Sequence, residues 1–498
     1  MRYYLGIDIG TYETKGVLVD GDGQIVATAA EPHRMQVPRP GWAEHDAEKD
    51  WWGDFVTISR SLLSKSRVDP ARIRAVGPSG IGPCMLPVDG AGTPLMNAVL
   101  YGVDTRAALE IEELTEKIGI ERLLSECGNS LTSQSVGPKI LWLKRNRPEL
   151  FARTHKILNS SSFLVHKLTG RFTIDHYTAC GSTPLYSAER LTWDDSYADL
   201  ITGPERLPDL LWTTDIAGTV TPAAAEATGL AAGTPVIAGT VDAAAEAVSV
   251  GVLDPGEMMI MYGSTIFIIM LTAERVRDPR LWYSPWLFEG QHACMSGLAT
   301  SGTLTHWFRE RFAGELDPAN AVEILAREAT RAPAGANGLI VLPYFSGERT
   351  PIHDPRAKGV IFGLDLTHNR ADIYRALLEG IAYGVNHIVE TYAEAGQKAT
   401  VIAAVGGGTK NQVWSHAVSD ITGEAQTIRS RTIGASYGNA FLAAVAVGDV
   451  QREDIRRWNP VERTVKPDPS LVSVYSRQFN IYKRLYAQTK DLMAEISG

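Results

Sequence analysis

An α/β protein built in two halves is predicted by three features of the sequence. Strand-like and helix-like segments alternate along most of the chain, the pattern of a sheet with helices on its faces. A strand–turn–strand unit rich in glycine and threonine opens the chain, and a second such unit follows Gly256. The 498 residues are also too many for one core; at roughly 100–200 residues per domain, two large domains are expected.

The elements follow in order. YYLGIDI (3–9) and KGVLVD (15–20) flank the turn GTYET, DGDG at 20–23 is a hairpin signal, and QIVATAA returns, so the chain opens as a three-stranded antiparallel meander. EKDWWGDFVTISRSLLSKS (48–66) and TRAALEIEELTEKIG (105–119) have helical spacing, and RIRAVGPSG (72–80) is a short strand ending in a Gly/Pro loop. In the second half, GEMMIMYGSTIFIIMLTAE repeats the strand–turn–strand plan from Gly256. NGLIVLPY, the long helix RADIYRALLEGIAYGVNHIVETYAEAG and the strand–glycine–helix segment VIAAVGGGTKNQVWSHAVSDITG come after it. The boundary is placed near residue 245, giving domains 1–245 and 246–498 with no low-complexity linker between them. The tail VYSRQFNIYKRLYAQTKDLMAEI is helix-like, and its apolar spacing suits docking on the core or on a partner.

Composition narrows the function. A net charge of -9 argues against general affinity for nucleic acid, which needs a concentrated basic footprint. Cys84, Cys127, Cys180 and Cys294 are scattered, with no CxxC pair and no zinc spacing, which suits a reducing cytoplasm. The N-terminus lacks the apolar run of a signal peptide. The most apolar stretch, Met258 to Leu271, is broken by Gly-Ser-Thr and is shorter than the roughly 20 residues of a membrane helix.

Several stretches carry chemistry. Tight turns of glycine and hydroxyl residues expose successive N–H groups that can bind phosphate oxygens; GTYETK (10–15) and GSTIF (263–267) are each such a cradle or a plain hairpin turn. Asp8, inside an apolar strand, is costly unless paired or holding a cation, and hard cations such as Mg²⁺ prefer oxygen ligands. Asp242 follows the strand VIAGTV and opens an alanine-rich helix, as a general base or as a helix cap. The glycines at 406–408 let a ligand approach the backbone at a helix N-terminus. GASYGNAFLAAVAVG (434–448) is a small-residue helix, for close packing or for a flat base. The loops VGPSGIGPCMLPVD (76–89) and YGVDTRA (101–107) have the irregularity of substrate walls. Asp104 and Arg106 can bond polyol hydroxyls or form a salt bridge at a helix start.

Taken in order, these segments resemble the FGGY carbohydrate kinases, within the larger actin-like ATPase superfamily. The resemblance spans residues 3 to 450 and rests on DIGTYETKG, LTGRFTIDHYTA, GTVDAAAEAVSVG, LPYFSGERTPIHDPRAKGVIFGL and VGGGTKNQVW. It implies a two-domain actin-like (ribonuclease H-like) fold with an interdomain cleft, the sugar on the N-terminal domain and ATP on the C-terminal one. It also implies a cytoplasmic, ATP- and Mg²⁺-dependent phosphotransferase, commonly a homodimer. Carried over by position, Asp242 is the general base, with Asp8 and Asp242 near Mg²⁺. Gly10, Thr11, Lys15, Gly263, Ser264 and Thr265 face phosphate, and Gly407, Gly408 and Asn411 line the adenosine site. Gly82, Pro83, Asp104, Arg106 and Asp242 face the sugar.

Within the family the chain is most similar to xylulokinases, with departures. Their sugar loop usually reads Ser-Gly-Gln-Met-His-Gly; here SGIGPC puts Ile81, Gly82 and Pro83 in place of Gln, Met and His. Their W-x-D-x-R motif has Gly102 at the tryptophan position, with Tyr101 beside it, and the VDTR form is similar to kinases of a quorum-sensing pentanedione. A ketopentose, by default D-xylulose, is the expected acceptor, and other ketoses, polyols or linear signal molecules are the alternatives. A non-sugar actin-like ATPase would share the turns and Asp8 but would have little reason for the GERTP segment. A binding relative without turnover is argued against by Asp8, both turns and Asp242.

Overall fold

The computed structural model describes residues 1–497 and resolves the chain into two compact α/β units. The first comprises Met1–Leu253, Tyr283–Ala293 and Ile433–Pro460. Its sheet runs in the order Ile216–Thr219, Pro235–Ile237, Ile73–Gly80, Tyr3–Ile9, Glu13–Asp20, Ile25–Pro32, and the short strand Thr240–Val241 also pairs with Ile73–Gly80. The expected meander is present: Tyr3–Ile9, Glu13–Asp20 and Ile25–Pro32 pair antiparallel in sequence, while Ile73–Gly80 adds parallel to the first strand.

Both faces of this sheet are covered, so its central strand is apolar on both sides. Phe55, Ile58 and Leu62 of the helix Asp54–Ser66 are buried on one face, where a Cβ on Gly16 would stand 2.3 Å from Ile58 Cγ2. The other face takes the helix Ala435–Ala446. Two glycines permit that approach: a Cβ on Gly6 would lie 1.9 Å from the Ser436 carbonyl and one on Gly77 2.3 Å from the Asn439 carbonyl. Gly438, whose Cβ would lie 1.9 Å from the Ala245 carbonyl, lets the helix meet the helix Asp242–Ser249. The small residues of 434–448 thus serve backbone-to-backbone packing on the first unit. A linear division near 245 gives that helix to the second half; the structure moves the main boundary to Leu253 and returns Ile433–Pro460 to the first unit. Sequence order hides this, because the partner of the first strand lies more than 400 residues away.

The second unit comprises Asp254–Trp282, Cys294–Thr432 and the chain from Val461 onward. Part of its sheet runs Ile266–Thr272, Glu257–Tyr262, Val401–Val405, Gln426–Arg429, Val461–Val465. The hairpin of Glu257–Tyr262 with Ile266–Thr272 is antiparallel, and Val401–Val405 joins Glu257–Tyr262 in parallel. This repeats the plan of the first unit. The long helix Arg370–Glu394 starts at a capping box of Asn369 and Asp372. The C-terminal helix Val472–Ile496 buries Tyr475, Phe479, Tyr482, Leu485 and Met493 in a cluster with Tyr344 and Tyr383, so the tail docks on the core of its own unit. Among the described residues no helix is long and apolar enough to cross a membrane.

Candidate active site

Strand register assembles the acidic part of the site. Asp8 stands opposite Lys15 on one neighbour and Ser79 on the other, and Ser79 stands opposite Thr240. Cross-strand partners share a face, so Lys15, Asp8, Ser79 and Thr240 form one row across four strands. Asn439 Nδ2 donates to the Ile7 carbonyl at 3.0 Å and to Ser79 Oγ at 2.6 Å, and Ser79 Oγ donates in turn to Asp8 Oδ1 at 2.6 Å. Two residues beyond Thr240, Asp242 begins the helix Asp242–Ser249 and accepts the Ala243 N–H at 2.7 Å. Glu246 lies one turn along the same helix face and accepts the Ala435 N–H.

Three carboxylates, Asp8 buried and Asp242 and Glu246 partly buried, therefore lie within electrostatic reach of one another. Burial, then the charges of Asp242 and Glu246, raise the Asp8 carboxyl well above its usual range, against the Ser79 bond and Lys15. Burial also raises Asp242, opposed by the Ala243 N–H. Burial followed by Asp242 lifts Glu246 to about 7. Lys15 is half-exposed and pairs with Glu13 at 3.1 Å, so it offsets only part of this charge. Among the described residues, no three His, Cys, Asp or Glu side chains form a complete metal-ligand set. Mg²⁺ does not need one: it is usually held by one or two carboxylates, with phosphate oxygens and waters filling the octahedron. Burial disfavours the charged forms of Asp8 and Asp242, and a cation between them would restore those charges, which fits that mode of binding.

The first turn is tight and braced from behind. The Gly10 N–H donates to the Glu13 carbonyl at 3.0 Å, and a Cβ on Gly10 would lie 2.7 Å from that oxygen. His33 Nε2 bonds the Gly10 carbonyl at 3.0 Å, and His45 Nε2 bonds the Thr11 carbonyl at 3.1 Å. Trp51 Nε1 donates to His45 Nδ1 at 3.1 Å, which leaves the His45 proton on Nε2 for Thr11. Burial and the neighbouring His33 push His45 down to about 4, so it is neutral. His33 is raised by its Asp54 bond at 2.8 Å, against the effect of burial. Sequence reading passed over His33, His45, Trp51 and Asp54; EHDAEKDWW gives no signal of what its histidine supports. The Thr11 hydroxyl lies 2.9 Å from the Tyr101 hydroxyl.

The expected acceptor walls are also ordered. Asn159 Oδ1 accepts the Cys84 N–H at 2.7 Å, and Ser160 Oγ donates to the Ile81 carbonyl at 2.6 Å, pinning the SGIGPC loop. A Cβ on Gly82 would meet Val241 Cγ1 at 2.5 Å, and Pro83 packs against Gly181. Gly102, at the tryptophan position, donates to Gln134 Oε1 at 3.0 Å, and a Cβ there would lie 2.8 Å from the Gln134 amide. Asp104 and Arg106 form a buried pair with no exposed side-chain surface. Arg106 also bonds Glu44 at 2.8 Å and stacks 3.9 Å from the Trp42 ring centre, while Asp104 accepts the Ala43 N–H. Only Arg106 Nη1 in this pair lacks a partner.

In the second unit the turn at 263–265 sits on the start of the helix Gly302–Phe312. The Gly263 carbonyl accepts from the Gly302 N–H and Ser301 Oγ, and the Ser264 carbonyl accepts from the Ser301 and Thr303 N–H groups and from Thr303 Oγ1. The Gly263 N–H bonds the Thr265 carbonyl at 3.1 Å. Gly408 is forced by sterics, since its Cβ would meet Trp414 at 2.5 Å, whereas Gly407 faces open space. Asn411 caps the helix Gln412–Thr422 through the Trp414 N–H.

Comparison with known proteins agrees with this organisation. Residues 3–249 match the N-terminal domain, and residues 258–447 the C-terminal domain, of the FGGY family of carbohydrate kinases. The chain belongs to that family and is a sugar kinase, a phosphotransferase. It is 30% identical to a xylulose kinase of Bacillus subtilis (strain 168) over 497 residues, 99% of this chain and 98% of that protein. It is 30% identical to a xylulose kinase of Escherichia coli (strain K12), covering 99% of this chain and 100% of that protein. The crystal structure of xylulose kinase from Rhodospirillum rubrum superposes with a TM-score of 0.93 at 29% identity, covering 99% of this chain and all of that one.

Proposed function

We propose that the protein phosphorylates a ketopentose, D-xylulose in the first instance, with ATP, giving D-xylulose 5-phosphate and ADP. The observation that carries this reading is the Asp8–Asp242–Glu246 cluster, half-buried to buried, beside the braced Gly10 turn. Full-length similarity to xylulose kinases supplies the substrate. Asp242 accepts the proton of the acceptor hydroxyl as that oxygen bonds to the γ-phosphorus and ADP leaves. A carboxylate raised toward neutrality is better matched to that task than an exposed one. The Gly10, Thr11 and Lys15 turn receives phosphate oxygens, as do Gly263, Ser264 and Thr265; Gly407, Gly408 and Asn411 line the adenosine. Mg²⁺, held through Asp8 and Asp242, supplies charge neutralisation to the phosphates. On the acceptor side Gly82 and Pro83 form the loop wall, and the buried Asp104–Arg106 pair holds the 101–107 loop behind it.

A second reading keeps the chemistry and changes the acceptor. The SGIGPC loop offers no imidazole or side-chain amide, and Gln134 fills the space beside Gly102. Both features favour another ketose, a polyol or a linear signal molecule. ADP release with Mg-ATP against ketopentoses, aldopentoses, polyols and glycerol decides between the readings. Stimulation by D-xylulose that Asp242→Asn abolishes supports the first; stimulation by another acceptor alone selects the second.

A further inference from the structure

We infer that Tyr101 is a positioning residue that ties acceptor occupancy to the phosphate turn and thereby restrains hydrolysis of ATP by water. This rests on the kinase reading above. Its basis is the 2.9 Å bond between the Tyr101 and Thr11 hydroxyls, which joins two separately anchored segments.

The Tyr101 end is fixed by its backbone. The buried Lys139 Nζ donates to the carbonyls of Leu100 at 2.6 Å and Tyr101 at 3.0 Å, and the Asp104 N–H closes on the Tyr101 carbonyl at 3.0 Å. The next peptide is held on both sides, with the Gly102 N–H on Gln134 Oε1 and the Gly102 carbonyl on Ser133 Oγ at 2.9 Å. The Thr11 end is fixed by His45, which Trp51 holds in turn. With both ends anchored, the bond selects the Thr11 rotamer. The phenol is held above its ordinary range by burial and by the Asp242 charge, against the Thr11 bond.

A threonine or tyrosine hydroxyl has one proton to give. Without an acceptor, the Thr11 hydroxyl is engaged by the phenol. An acceptor with several hydroxyls can offer one to Asp242 and another to Tyr101, which frees Thr11 for a phosphate oxygen. A single water at Asp242 leaves Tyr101 on Thr11. The restrained side reaction is hydrolysis. The water oxygen bonds to the γ-phosphorus, and the bond from that phosphorus to the bridging oxygen breaks with its electrons leaving on ADP. The water proton passes to Asp242, and the products are ADP and inorganic phosphate.

The test compares wild type with Tyr101→Phe, which keeps the ring, and with Gln134→Ala, which loosens its support; thermal melting confirms folding. ADP release is measured with Mg-ATP alone, and ADP per phosphorylated sugar is measured with D-xylulose. Loss of one hydrogen bond predicts an acceptor-free rate about two- to tenfold higher in Tyr101→Phe. ADP per sugar should rise above one, and Gln134→Ala should shift both in the same direction by less. A raised KM for D-xylulose with unchanged acceptor-free hydrolysis overturns the inference, because Tyr101 is then only a wall. No change in either quantity also overturns it. If wild type shows no acceptor-dependent release with any sugar, the kinase reading fails, and the acceptor-free rates still decide: a rise in Tyr101→Phe upholds the restraint on Thr11, and no rise removes it.

Discussion

The turn at Gly10 and the turn at Gly263 share a backbone plan and differ in what stands behind them. Each joins the strands of an antiparallel hairpin whose first strand has a parallel neighbour. Two residues before the glycine, the first unit places Asp8 between Lys15 and Ser79. At the matching register the second unit places Met261 between Phe267 and Val405. One row is charged and polar, and the other is apolar. On the function proposed above, the same scaffold would serve acid–base and cation chemistry at one turn and binding alone at the other. The largest consequence is at Asp242. Its substitution by Asn removes the proposed proton acceptor and keeps the shape, so kcat should fall about a hundred- to ten-thousand-fold while the melting temperature holds. Turnover close to wild type would erase the distinction between the two turns.

Buried acid is used differently in the two units as well. In the second, Glu348 accepts the Ala299 N–H at 2.6 Å and the Arg349 N–H at 2.7 Å, and its other oxygen has no partner. Burial lifts its carboxyl from the ordinary 4.5 to about 7. The folded chain keeps this proton to higher pH than the unfolded chain does. Its contribution is thus complete below about pH 4.5 and is lost as pH rises through 7. A shift of that size corresponds to roughly 3 kcal/mol. Denaturant titrations across this range should show Glu348→Gln losing that part of the pH dependence. An identical pH profile for the two proteins would show that Glu348 is charged throughout.

Support for the acidic row comes from close packing, and Gly438→Ala tests it. A methyl group 1.9 Å from the Ala245 carbonyl must push the two helices apart. Overpacking of this kind costs about 1–3 kcal/mol, and the shift displaces the Asn439–Ser79–Asp8 chain. Stability and kcat should fall together in Gly438→Ala. Gly407→Ala, which meets open space, should leave stability unchanged. Loss of stability without loss of kcat would detach the packing from the chemistry.

Much of this was legible in the sequence because local rules and the fold agree there. The opening meander, the repeated hairpin and the strand–glycine–helix segment each announce themselves through alternation and turn residues, whereas Asp242 begins its helix without capping it, Val241 standing at the N-cap. Asp8 stood out because a carboxylate in an apolar strand conflicts with the rule for its neighbours. What was hidden depends on distance along the chain. Nothing local says that Ser436, Asn439 and Ala440 meet Gly6 and Gly77, that His33 and His45 reach two carbonyls of the first turn, or that Gln134 lies over Gly102. Asp104 and Arg106 show a related limit. Their spacing announced a pair, and only Trp42, Glu44 and Ala43 make it a buried one.

The smallest expected effect falls on the second turn. The Ser264 and Gly263 carbonyls are fixed by Ser301, Gly302 and Thr303, so the backbone there does not depend on the Ser264 side chain. Met261, Phe267 and Val405, the three residues of the row behind it, carry no carboxylate. Ser264→Ala should therefore remove one hydrogen bond to phosphate and nothing from proton transfer. That predicts a KM for ATP raised about two- to tenfold with kcat nearly unchanged. A fall in kcat as large as that of Asp242→Asn would mean the second turn contributes to the transition state as the first does. The apolar row of Met261, Phe267 and Val405 would then no longer separate a binding turn from a reacting one.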